Sequence, residues 1–152
     1  MRAAETAPSE YPRRLWRRCA RLDGVDRPEF EQVRRIALAL PAVTERVSHG
    51  EPCFFIGDKR PLCYFHDDHN GDGRVSLWCP APPGVQDELV SAEPDRFFRP
   101  VPSASGTFAS WLGVFLDTSG VNTVDWDEIA AILKDAYRTA APKTLIKELE
   151  AD

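Results

Sequence analysis

Two histidines stand beside carboxylates in this chain: His49 lies two residues before Glu51, and His66 is followed by Asp67. A histidine with a nearby carboxylate can be tuned for proton transfer, so these are the candidates for acid–base chemistry. No serine or cysteine nucleophile motif accompanies them, and no glycine loop suited to phosphate is present. The plainer reading of His49 is a residue that orders its turn through a backbone hydrogen bond. Asp68-His69-Asn70-Gly71-Asp72-Gly73 opens like a calcium loop, but the bidentate glutamate that should close such a loop falls at Cys79. It reads instead as a polar connection in which Gly71 and Gly73 permit positive φ. Cys19, Cys53, Cys63 and Cys79 contain no C-x-x-C pair and no histidine at zinc spacing, so neither metal nor cofactor is expected. The last three sit among aromatic and aliphatic residues and are read as core packing.

A different chemistry is offered by the aromatic residues. If Ile56 faces Leu62 across a hairpin, side-chain alternation brings Phe54 and Tyr64 to one side of a sheet. Trp78 and Trp111 oppose the aliphatic faces of their own strands. On a shared, uncovered side, Tyr64, Trp78 and Trp111 form an aromatic surface rimmed by Lys59, Arg60, Arg74 and Arg99. Such a surface stacks bases, at about 1–3 kcal/mol each, or lines an apolar pocket for a small molecule. The competing reading is a second hydrophobic layer, sealed by residues 81–110 or by the N-terminal segment.

These residues need a scaffold, and the spacing of apolar positions supplies one. Asp26 and Pro28 suit the start of a helix whose stripe is Phe30, Val33, Ala37 and Leu40, ended by Pro41. Val43–Val47 reads as a short strand. Cys53–Ile56 and Leu62–Phe65 read as a hairpin around a five-residue loop. Alternation continues through Arg74–Cys79, and Pro82–Ser91 suits a short helix. Trp111–Leu116 is a last strand, with Leu112, Val114 and Leu116 on one face. The clearest element follows: Asp125 and Glu128 fit a capping box, Trp126, Ile129, Ala130, Leu133 and Tyr137 form a stripe, and Pro142 follows the end. The order predicts an α+β fold, an antiparallel sheet with two long helices packed on one face.

With 152 residues, 43% hydrophobic and 28% charged, the chain has the composition of one globular domain rather than of a disordered segment. No apolar run reaches bilayer length and no signal-peptide pattern is seen, so a cytoplasmic protein without a membrane partner is expected. The net charge of −5 is uneven. Six arginines against two glutamates leave residues 1–21 at +4, and the rest of the chain at −9. Residues 1–24 are therefore read as an arginine-rich arm and residues 25–152 as the domain. An acidic body repels phosphate backbones unless a local basic patch intervenes.

Ala37-Leu38-Ala39-Leu40-Pro41, Ser48-His49-Gly50-Glu51-Pro52, Cys79-Pro80, Glu93-Pro94-Asp95-Arg96-Phe97-Phe98, Trp111-Leu112-Gly113-Val114 and Trp126-Asp127-Glu128 occur in an order that resembles the MmcQ/YjbR-like proteins, DUF419. The resemblance spans residues 27–147. It implies a CyaY-like fold of the double-wing type, shared with frataxins, and it implies DNA binding without any established reaction. Residues 102–110 depart from the pattern, lacking the tyrosine and the basic residue that relatives carry there. The combined expectation is a non-enzymatic binding protein with DNA as its partner. Its contacts would come from His49, Lys59, Arg60, Tyr64, Arg74, Trp78, Arg99 and Trp111. One alternative is a small-molecule binding or sequestering protein that uses the aromatic sheet face. The other is an enzyme centred on His49 or His66.

Overall fold

The computed structural model describes residues 28–48, 50–57, 59–67, 74–101, 105–106, 108–117 and 124–151. The arginine-rich arm, His49 and the calcium-like loop at 68–73 lie outside the described residues. Among those described, the order is α1 (Pro28–Leu38), β1 (Val43–Ser48), β2 (Glu51–Ile56), β3 (Arg60–Asp67), β4 (Val75–Cys79), α2 (Val85–Ala92), β5 (Phe97–Phe98), β6 (Leu112–Phe115), α3 (Trp126–Ala140) and α4 (Lys143–Ala151). The strands form one antiparallel sheet in the order β1-β2-β3-β4-β6-β5. The fold is α+β, as the sequence predicts.

Helices α1 and α3 share one face of this sheet. Phe30, Val33 and Ala37 recur at helical spacing on α1, and all three are buried. Ile129, Leu133, Ala136 and Tyr137 do the same on α3. They meet Phe54, Ile56, Phe65, Leu77, Leu112 and Val114, the inward residues of alternating strand positions, in one core cluster. Asp125 caps α3, its carboxylate accepting from the Asp127 and Glu128 amides at 3.1 and 3.2 Å. The second half of the expected capping box is diverted, because the Glu128 carboxylate accepts from Arg96 instead. The Tyr137 hydroxyl donates to the Pro41 carbonyl at 2.7 Å and ties the end of α3 to the turn after α1. In that turn Ala42 takes a left-handed φ of 59°, and its carbonyl accepts the Gly57 amide.

Two local readings need correction. The β2–β3 hairpin is longer and its loop shorter than five residues, since β3 begins at Arg60. Its register also differs: Ile56 pairs with Arg60, Phe54 with Cys63, and Cys53 with Tyr64, with a bulge that leaves Leu62 extra. Phe54 therefore enters the helix-covered core and is not on the side of Tyr64. Pro142 follows the end of α3 at Ala140, as expected, and also opens α4, whose Leu145 and Ile146 amides both donate to the Pro142 carbonyl.

Candidate functional site

The opposite face of the sheet is aromatic. Cys53 and Phe55 on β2, Tyr64 on β3, Trp78 on β4 and Trp111 just before β6 form a second buried cluster, with Phe98 and Phe108 packed against it. Alternation puts them there: each has at least one sequence neighbour in the first core. Phe108 sits at the centre of the covering layer. Its ring meets Tyr64 at 5.7 Å, Trp78 at 5.3 Å and Trp111 at 4.8 Å between centroids, edge to face in every case. Phe98 lies over Gly113, where any Cβ would strike its ring. The Gln86 amide reaches from α2 to the carbonyls of Ala109 and Trp111, at 3.1 and 2.6 Å, and holds the chain on either side of Ser110.

One residue pair further along the strands, the same face turns polar. His66 and Ser76 are register partners on β3 and β4. Glu51 on β2 approaches from the other side, its Oε2 3.4 Å from His66 Nδ1. All three side chains are buried. The His66 ring lies 4.3 Å from Trp78 and nearly parallel to Tyr64. Asp67, the sequence neighbour expected to tune His66, belongs to the other side of the strand by alternation, so the partner on this face is Glu51.

The predicted site residues divide into two groups. Tyr64, Trp78 and Trp111 come together, yet at 7–8% exposure they present no open stacking surface. This is the sealed second layer, covered by Phe98 and Phe108 from the 81–110 segment. Each of the predicted arginines has a protein partner. Arg60 donates to the Ala140 carbonyl at the end of α3, and Arg99 pairs with Asp87 on α2. Arg74 grips Asp117 at 3.0 and 3.2 Å while lying over the ring of Phe115. Lys59 is exposed in the hairpin turn. Sequence reasoning missed Phe108 and the Glu51–His66 pair. The signal for the first was an aromatic three residues before Trp111; the second required the hairpin register.

Burial governs the thiols. It pushes Cys79 up to about 12, and Cys53 to about 12 against the pull of the Tyr64 hydroxyl and Arg46, and it carries Cys63 in the same direction. Protonated at neutral pH, they pack as small hydrophobes, as expected. Burial also raises the Tyr64 phenol, which keeps it a neutral hydrogen-bonding group beside Ser48. Among the described residues no three His, Cys, Asp or Glu side chains are placed to hold a metal, and no helix is long and apolar enough to cross a membrane.

One open cleft adjoins the aromatic layer. It has a volume of about 290 Å³ and is lined by Arg60, Pro61, Pro80, Ala81, Ser110, Trp111, Thr139 and Ala140. Trp111 is the shared wall: it faces the cleft and also touches Tyr64 and Phe108.

The YjbR family model matches residues 38–139. Among solved structures, a Deinococcus radiodurans protein whose crystal structure is described as a DUF419 domain superposes with a TM-score of 0.57. It is 20% identical in sequence, with 79% of this chain and 86% of that one covered. No curated protein matches the chain.

Proposed function

The chain belongs to the YjbR family, whose function is unknown, and from that premise we propose that it is a non-enzymatic binding protein for a small aromatic molecule. The observation that carries this reading is the position of Phe108. Its ring contacts three aromatic side chains edge to face, the arrangement a bound aromatic ligand would adopt. The ligand takes the place of this ring and reaches it past Trp111 from the open cleft. A chamber with apolar walls and few polar groups is the usual form of a small-molecule site.

The DNA reading implied by the family resemblance is less well supported. Base stacking needs exposed aromatic faces, and Tyr64, Trp78 and Trp111 are covered. Phosphate contacts need available cations, whereas Arg60, Arg74 and Arg99 are each engaged by protein oxygens.

Thermal unfolding of the full chain with a panel of fused-ring aromatics tests the proposal, run beside anisotropy of labelled DNA at low and near-physiological salt. A ligand at a hundredfold excess over its Kd contributes about 2.7 kcal/mol, which is roughly 5–10 °C for a domain of this size. The expected result is such a shift, insensitive to salt. DNA affinity that falls steeply with salt, together with no response to any aromatic, would overturn it.

A further inference from the structure

The three predicted arginines are held on unequal terms. Arg74 and Arg99 meet the carboxylates of Asp117 and Asp87, so their charges are compensated. Arg60 meets a neutral group instead: its Nη1 donates to the Ala140 carbonyl at 3.2 Å, its one hydrogen bond among the described residues. A guanidinium carries its donors in a planar fork, and a single bond from Nη1 leaves the Nε–Nη2 edge unengaged. The carbonyl also holds the group in place. Ala140 is the last residue of α3, and a helix end carries only about half a negative charge against the full positive charge of the arginine.

Arg60 is the one charged side chain among the residues lining the open cleft of about 290 Å³. Trp111, Pro61 and Pro80 give that cleft flat rings, and Ala81 and Ala140 give it small methyl groups. Of its two hydroxyls, Thr139 is spent on the Asp135 carbonyl at 2.7 Å. Ser110 is held between the two carbonyls that the Gln86 amide grips. The volume is that of roughly ten waters in the liquid. It accommodates about ten non-hydrogen atoms, which is one aromatic ring with a small substituent.

We propose that this cleft binds a small monocyclic aromatic carboxylate, its ring against Trp111 and the prolines and its carboxylate on the free edge of Arg60. Aromatic rings gain energy on an indole beyond the area they bury. A carboxylate matches the guanidinium fork with two charge-assisted hydrogen bonds. One uncompensated cation suits one carboxylate, whereas a nucleic-acid backbone needs a row of them. The ligand occupies the cleft itself and Phe108 keeps its place, so the site does not depend on the exchange proposed above.

Amide NMR titration of the full chain with benzoate and its neutral isostere benzamide tests this site. Wild type is expected to prefer benzoate at least about tenfold, with shift changes centred on Arg60, Ser110, Trp111 and Ala140. Arg60→Gln, at an exposed position, should bring the two affinities to within about twofold by weakening benzoate alone. If that variant does not fold, salt serves in its place. Raising sodium chloride from about 0.01 to 0.15 M shortens the screening length from about 30 to 8 Å, and should weaken benzoate at least about twofold without affecting benzamide. Cyclohexanecarboxylate, with the same charge and no π face, should bind at least about threefold more weakly than benzoate. Equal affinities for benzoate and benzamide, an undiminished preference in folded Arg60→Gln, or binding of neither probe would overturn the inference. Shift changes centred on Tyr64, Trp78 and Phe108 would also overturn it, and would favour the aromatic layer as the site.

Discussion

The two faces of one sheet are built on different terms. The face under α1 and α3 is filled by aliphatic and phenylalanine side chains, and two amphipathic helices cover it. The other is filled by tryptophan, tyrosine and histidine, and Phe98 and Phe108 cover it from short strand and turn segments. The first face needs only shape and hydrophobicity, and it supplies the fold. The second retains buried polar groups that a core does better without. Burial alone does not distinguish them, since residues in both are nearly inaccessible. What differs is the chemistry buried and the kind of element that covers it.

The largest expected effect bears directly on that difference. Phe54→Ala, under the helices, should cost about 3–5 kcal/mol. Phe108→Ala, whose ring is only half-buried, should cost about 1–3 kcal/mol. Urea unfolding of both variants measures the gap, and equal costs would remove the distinction between scaffold and cover. Next comes Gly113→Ala, which drives a methyl group into the Phe98 ring. Overpacking of this kind should cost about 1–3 kcal/mol and perturb the aromatic near-ultraviolet dichroism, leaving far-ultraviolet helicity intact.

The thiols compare the faces through pH. Cys53 lies under the aromatic cover, while Cys63 and Cys79 lie under the helices. The unfolded chain gives up thiol protons near the ordinary value of 9.0, and the native state holds those of Cys53 and Cys79 to about 12. Stability is therefore full below pH 9 and falls as pH climbs toward 12, by about 1.4 kcal/mol per unit for each thiol. Denaturation midpoints from pH 8 to 11 check the sign. Iodoacetamide mapping of the native protein should label Cys53 before the other two, because opening the loop cover exposes it without global unfolding. Simultaneous labelling would mean the two faces open as one unit.

Smaller effects come from the junction between the helices. Tyr137→Phe loses the hydrogen bond to Pro41 and should cost about 1 kcal/mol in thermal unfolding. Ala42→Gly relieves a left-handed φ of 59° in the same turn and should stabilise by at most about 1 kcal/mol.

How much of this could be read from the sequence followed the same division. Periodicity gave α1 and α3, and alternation in Arg74–Cys79 and Trp111–Leu116 placed Trp78 and Trp111 opposite the aliphatic core. It failed along Leu62-Cys63-Tyr64-Phe65, a run with no polar residue to set its phase, and the bulge at Leu62 moved Phe54 to the other side. The two-residue strand at Phe97–Phe98 is too short for any period. The polar row was invisible for another reason: Glu51 and His66 meet only through the hairpin register, and the local pairing with Asp67 pointed the wrong way. Two of the predicted cations, Arg99 and Arg74, are engaged by Asp87 and Asp117, acids from other segments that local sequence could not pair with them.

The strand order carries a consequence for solution behaviour. Among the described residues the sheet ends at β1 and β5, and an edge strand invites the edge of another copy. At one end, Thr44, Glu45 and Arg46 line β1 with exposed polar side chains, two of them oppositely charged neighbours that a stacked copy would have to desolvate. At the other, β5 offers only two residues, too few to template a ladder. Both features disfavour edge-to-edge pairing of copies, so a concentrated sample is expected to stay free of fibres, which light scattering checks.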